Sequence, residues 1–254
     1  MEYNLEELSD IFTRVRDTLI ENSEYNLNEF NDDYYKNAKK EHLTDNDYYK
    51  ILVYVAFYSG FRASTVGKHL PVINNYFPNY ETVMFYDENM FIKIFNDRSM
   101  IRHEKKIRAC INNAKKINEI IKHYGSFENY IDSFEPNKND NNLLALKRNL
   151  EKFDFLGGIT VYHFMKDIGL EVIKPDRVLM RIFKRLNLIY DEDYLFGAVK
   201  VGRLFSQANN LPIGYIDMIF VLYGQLNVPK IKCICSEKNP KCNICGAKMY
   251  CNYN

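Results

Sequence analysis

The sequence predicts an all-α protein, on three observations. Apolar residues recur at three- and four-residue spacing through most of the chain. No stretch shows the alternation of a half-buried strand, and no internal repeat appears. At 254 residues, 46% of them apolar and 26% charged, the chain is long enough to bury a substantial core.

Leu5, Leu8, Phe12, Val15 and Leu19 define an amphipathic helix over 4–20. Residues 21–43 are polar and rich in Tyr, Asn and Asp, and read as a connector. Thr44-Asp45-Asn46-Asp47 is a helix start with an approximate capping box. The helix Tyr48–Tyr58 that follows is nearly all apolar and expected to be buried on most sides. Ser59–Ser64 interrupts it, and a short helix runs to Leu70-Pro71. Further helices are expected around 79–86 and 88–95. The longest covers 102–124, where Ile107, Cys110, Ile111, Ala114, Ile117 and Ile121 form one stripe. A helix over 140–152 leads to Phe153–Arg181, and helices over 191–208 and 212–224 precede a cysteine-rich tail from Pro229.

Net charge is only +1, but its distribution is uneven. Residues 1–47 hold 5 Lys/Arg against 13 Asp/Glu, 98–123 hold 8 against 2, and 229–254 hold 5 against 1. Two basic stretches beside an acidic flank suit one phosphate-facing surface; the competing reading is solvated helix faces. No apolar run reaches the ~18 residues of a membrane span, and the acidic start is no signal peptide, so a cytoplasmic protein without a membrane partner is expected.

Within Phe153–Arg181, Gly157-Gly158 offers backbone freedom for a hairpin and exposed N–H groups at a helix start, an arrangement suited to a phosphate. Lys174-Pro175-Asp176 opens a second helix, where Asp176 reads as an N-cap whose carboxylate could face whatever the hairpin holds.

In the tail, Cys235-x6-Cys242-x2-Cys245-x5-Cys251 places four thiols within 17 residues that have almost nothing apolar to pack. A cytosolic chain keeps thiols reduced, so a soft metal centre is the expected occupant, with zinc and an iron–sulfur cluster as the two candidates. Cys233 and Cys110 stand outside this spacing and read as structural. Lys238 and Lys241 lie between the first two ligands, placed either to meet phosphates or as ordinary surface lysines.

The 6-2-5 cysteine spacing resembles the 4Fe–4S loop of the endonuclease III family of DNA glycosylases. With the hairpin, the resemblance to the helix-hairpin-helix glycosylase superfamily covers roughly residues 45–251. It implies two α-helical lobes: a barrel over 45–170 with the hairpin, and a second lobe from 1–44 and 171–254 with the iron–sulfur loop over 233–251. It further implies DNA in a cleft between them. The family hairpin reads hydrophobic-x-Gly-hydrophobic-Gly; here Phe153-Asp154-Phe155-Leu156-Gly157 has Phe155 in place of the first glycine. Asp176 matches the essential aspartate that follows the hairpin. Met100–Ile107 looks like the IRHxxKI stretch of bacterial 3-methyladenine glycosylases, which implies DNA contact by Lys105 and makes Ile101 or Arg102 the wedge in the gap left by a flipped base. Phe61 matches a second residue that fills the duplex; core packing is its plain alternative.

Bifunctional relatives carry a lysine where Gly158 or Ile159 stands. The resemblance therefore implies a monofunctional glycosylase that removes a damaged base, best an alkylated purine such as 3-methyladenine, and acts as a monomer on double-stranded DNA in the nucleoid. Adenine glycosylases of the superfamily extend further beyond the cluster than this chain does. Competing readings are a bifunctional glycosylase/AP lyase on oxidised pyrimidines, a mismatch glycosylase, and a non-catalytic damage-binding protein.

Overall fold

In the computed structural model, which describes residues 3–24, 26–36, 42–190 and 194–253, the apolar periodicity becomes helix throughout. The helices are α1 (Leu5–Glu21), α2 (Leu27–Lys36), α3 (Asp45–Tyr58), α4 (Ala63–Tyr76), α5 (Tyr80–Val83), α6 (Glu88–Asn96) and α7 (Glu104–Tyr124). There follow α8 (Phe127–Asp132), α9 (Asp140–Leu150), α10 (Ile159–Asp167), α11 (Arg177–Arg185), α12 (Leu195–Asn209) and α13 (Ile213–Gly224), then one 3₁₀ turn at Lys248–Tyr250. The single isolated bridge among the described residues joins Ser23 to Ile231.

Three elements depart from the sequence reading. The polar 21–43 stretch contains α2, because Asn26 and Glu29 cap each other reciprocally (2.7 and 3.0 Å) and Phe30 buries its ring. Helix α4 continues through Pro71 to Tyr76, losing one N–H bond while Val66 and Ile73 stay buried on its inner face. Helix α8 was not expected; Ser126 caps its start, and Phe127, Tyr130 and Ile131 are buried.

The chain forms two compact units, Met1–Lys39 with Glu171–Asn254, and Lys40–Leu170. In the Lys40–Leu170 unit, α7 packs on α3, α5, α6 and α8, and α10 packs on α3 and α9. The Thr44–Asp47 capping box forms in both directions, and α3 buries Tyr48, Tyr49, Leu52, Val53, Val55, Ala56 and Phe57. Cys110 lies fully inside the α7 stripe.

In the other unit, α1 packs on α12 and α13, which also hold α11. Phe12, Phe183, Phe205 and Phe220 make its aromatic centre, with Phe205 and Phe220 ring centroids 4.9 Å apart. The cysteine tail builds no core of its own. It docks on α1, where Gly246 N–H donates to the buried Thr18 hydroxyl (3.0 Å) and Tyr250 donates to Asp10 (2.5 Å). A Cβ at Gly246 would stand 2.6 Å from that hydroxyl oxygen, so the approach requires glycine.

Candidate active site, hairpin and cysteine loop

Asp176 has extended backbone (φ −83°, ψ 176°) and caps α11. Its Oδ1 accepts N–H bonds from Val178 (2.9 Å) and Leu179 (3.2 Å), so one oxygen fixes the carboxylate while Oδ2 has no partner among the described residues. The capping and catalytic readings of this residue are therefore compatible: the cap sets the orientation of an acid that keeps a free oxygen. The segment leading to it forms no helix, with Val172 and Ile173 buried, and Lys174 donates its N–H to Asp217 at 2.7 Å. Asp217 lies on the apolar helix α13 and is 3% exposed. Sequence reading missed it, although one acid within Ile213–Gly224 was the available signal.

The hairpin joins α9 to α10. Gly158 (φ 55°, ψ −114°) is the N-cap of α10, and no side chain caps that helix start. Gly157 and Gly158 are both exposed. Gly157 N–H donates to the Thr160 hydroxyl (2.9 Å), which faces the carbonyls of Phe155 (2.7 Å) and Gly157 (2.8 Å). Phe155 has φ 65°, in the left-handed region favoured by glycine.

The hairpin is fastened to α7 by Asn113, 1% exposed, whose amide accepts from Asp154 N–H (2.9 Å) and donates to Asp154 C=O (3.0 Å). Lys116 adds bonds to the Lys152 carbonyl and the Asp154 carboxylate, both at 2.7 Å.

The ring of Phe155 lies over the buried Lys106 ammonium, 4.7 Å from centroid to Nζ, and Phe61 lies over it at 5.3 Å. His103 meets both rings edge-on, at 6.1 Å from Phe61 and 6.2 Å from Phe155. Lys106 also donates to the carbonyls of Ala56 and, at 2.6 Å, Ser59, closing the C-terminal end of α3. Burial lowers its pKa from 10.5 to about 8. A lysine of lowered pKa is the type that forms Schiff bases, but this one is committed to two carbonyls beneath two rings.

Phe61 is 37% exposed, with its ring also over Lys106. Of the two wedge candidates, Ile101 is buried at 8% exposure and Arg102 is exposed, which corrects the expectation for Ile101: its side chain fills the fold. Lys105 is exposed. The basic stretch is partly spent internally: Arg108 pairs with Glu88 and Glu104, Lys116 with Asp154, and Lys122 with Glu119. Among the described residues, Arg98, Arg102, Lys105 and Lys115 have no anionic partner.

In the tail, Lys238 is exposed and Lys241 half-buried, its N–H bonded to the Ile234 carbonyl. The Cys235 sulfur accepts from Arg185 (3.2 Å), the Cys245 sulfur from the Tyr223 hydroxyl (3.0 Å), and the Cys251 sulfur from the Tyr253 N–H (3.4 Å). Burial raises the Cys245 and Cys251 thiols, and both also feel the thiol of Cys235. Cys233 is buried and raised for the same first reason. The donor set fits a thiolate-bound centre in kind: four thiols, three with N–H or O–H donors that favour negative sulfur. Its placement is looser, since no group of three or more His, Cys, Asp or Glu among the described residues is gathered to hold a metal ion.

An all-helical chain with a hairpin start facing solvent, an aromatic beside it and a capped carboxylate has the make-up of an all-α DNA glycosylase. The family model described as methyladenine glycosylase matches residues 24–174, more than half of the chain, and the chain belongs to that family. It is a DNA N-glycosylase, a hydrolase of N-glycosyl bonds, monofunctional and acting on alkylated purines in base excision repair. The match includes Phe61, Ile101, Arg102, Lys105, Gly157 and Gly158. It ends two residues before Asp176 and leaves out the cysteine tail. No helix of the described residues is long and apolar enough to cross a membrane.

Proposed function

We propose that Asp176 is the acid that drives base release. The observation that carries this reading is its divided carboxylate, with Oδ1 held by two backbone N–H groups and Oδ2 free. As the C1′–N bond breaks, its electron pair leaves with the base and positive charge develops on the sugar. The carboxylate stabilises that charge, orients a water whose oxygen adds to C1′, and accepts its proton. An alkylated purine that is already cationic is a good leaving group, so one acid suffices. At the two positions where a lyase lysine would stand, the chain has Gly158 and Ile159.

On this reading the exposed part of Phe61, together with Arg102, fills the duplex as the base is extruded. Lys105, Lys238, Lys241 and the N–H groups of Gly157 and Gly158 meet phosphates. Cys235, Cys242, Cys245 and Cys251 would hold a 4Fe–4S cluster, which when bound gives the tail a rigid centre that its few apolar residues do not. The protein would work as a monomer in the cytoplasm, at the nucleoid.

Duplexes carrying single lesions test the reading, with strand breaks compared before and after alkali. Release of 3-methyladenine from methylated DNA, with breaks only after alkali, is expected. Asp176→Asn should abolish release and keep affinity for a duplex containing a tetrahydrofuran abasic analogue. An active Asp176→Asn protein would refute the assignment. Iron with broad absorbance near ~400 nm is expected of the purified protein; a colourless zinc protein would reject the cluster.

A further inference from the structure

We infer that Asp217 is a positioning residue for the reaction: by accepting the Lys174 N–H it holds the non-helical segment that delivers Asp176 to the start of α11. The inference rests on the role of Asp176 proposed above.

Asp217 is the one acid on α13, the most apolar helix of its unit, with Tyr215, Ile216, Ile219 and Phe220 buried around it. A carboxylate taken out of water is costly unless something inside requires it. Here the requirement is visible. Residues 171–176 form no helix, and Val172 and Ile173 are packed inside, so their backbone groups need partners from elsewhere. The Lys174 N–H finds the Asp217 carboxylate at 2.7 Å, one of the shorter N–H bonds of the unit and charge-assisted. Pro175 has no N–H to give, so this bond is the last outside anchor before Asp176, whose own N–H turns back to the Lys174 carbonyl at 2.7 Å.

The same face of α13 holds the helix that Asp176 starts. Gly224 lies seven residues, or about two turns, after Asp217 and so on the same side of the helix. A Cβ there would stand 2.7 Å from Val178 and 2.9 Å from Ile182, and the Gly224 carbonyl accepts from Arg181 at 2.8 Å. One stripe of α13 therefore grips the chain on both sides of Asp176, before it through Lys174 and after it through Val178, Arg181 and Ile182. The carboxylate's own cap sets its rotation; Asp217 sets where the cap stands.

Three variants of the full chain decide the matter: Asp217→Leu, Asp217→Asn and Asp176→Asn. Single-turnover release of 3-methyladenine from methylated duplex DNA is measured beside affinity for the tetrahydrofuran duplex and thermal unfolding. Because small misplacements of a reacting group cost up to about 100-fold, Asp217→Leu should slow release by about 10- to 100-fold while affinity stays within about threefold. Asp217→Asn keeps an acceptor oxygen for the Lys174 N–H and should recover most of the rate, which a proton-transfer role would forbid. If Asp217→Leu does not fold, Asp217→Ser, whose hydroxyl falls short of Lys174, carries the same expected loss. A Leu variant at the wild-type rate beside an inactive Asp176→Asn overturns the Asp217 inference alone. So does an Asn variant as slow as Leu, or a loss shared equally by rate and affinity. A fully active Asp176→Asn overturns the role of Asp176 and this inference with it.

Discussion

Arg185 donates to the Cys235 sulfur at 3.2 Å from the last turn of the helix whose first turn Asp176 caps. The same guanidinium bonds the carbonyls of Ser236 (2.8 Å) and Glu237 (3.1 Å), and its flat face lies 3.9 Å from the Tyr253 ring centroid. Arg181, one turn earlier, reaches the Cys235 carbonyl at 3.0 Å. Helix α11 thus ties the proposed catalytic acid to Cys235, the first cysteine of the 6-2-5 spacing.

Arg185→Gln should loosen the cysteine loop. Outer-shell partners of a metal centre typically carry ten- to a hundredfold in affinity, so the variant should lose iron to a chelator about tenfold faster than wild type. Absorbance near ~400 nm follows it directly. Equal loss rates would show that Arg185 does not support a centre there.

Phe155 should reverse the usual order of alanine and glycine. In a regular element glycine is the less stable of the two, but at φ 65° a Cβ is strained by about 1 kcal/mol. Both Phe155→Ala and Phe155→Gly lose the ring over Lys106, a loss of about 1–2 kcal/mol for a partly buried ring and its cation–π contact. Glycine should come out more stable than alanine by about 1 kcal/mol in urea unfolding. Alanine equal to or better than glycine would mean that the turn is not held in this conformation.

Lys106 should leave a mark on the pH dependence of stability. Its folded pKa, about 8, lies below the ordinary 10.5, so between those values the unfolded chain keeps a proton that the folded protein has released. Stability then rises with pH across that window, by up to about 1.4 kcal/mol per unit, and is unaffected below it, where both states are protonated. Urea unfolding of wild type and Lys106→Met at pH 7 to 10 checks this: the difference should shift in favour of wild type as pH rises above about 8. A constant difference would contradict it.

Asn113→Ala should cost about 1–3 kcal/mol, because it leaves the Asp154 N–H and C=O without their buried partner. Thermal unfolding measures it. The hairpin should also become more open to hydrogen exchange at Asp154, and unchanged protection there would show that Lys116 suffices.

Much of this protein was legible in its residues. Helix periods named α1, α3 and α7; Thr44-x-x-Asp47 announced its own capping box; and the capping half of the reading of Asp176 is seen at the start of α11. Those features are local, set within one or two turns of chain. Helix α8 and the continuation of α4 past Pro71 were not legible, since six residues or one proline carry too little local signal, and burial decides them.

Tertiary structure alone decided which side chains face outward and which partners they find. Ile101 and Arg102 are adjacent and equally eligible in sequence, yet one is buried and the other exposed. Lys106 looked like one more cation of a basic stretch and proved to be a buried strut between Ala56, Ser59, Phe61 and Phe155. Asp217 met Lys174 across 43 residues of chain. The sequence by itself determined an all-α protein, because helix periodicity is a property of neighbouring residues, and its resemblance to 3-methyladenine glycosylases implied the activity. Only the folded chain determined how Asp176 is held, because hydrogen bonds between distant segments exist only after their burial has removed the competing water.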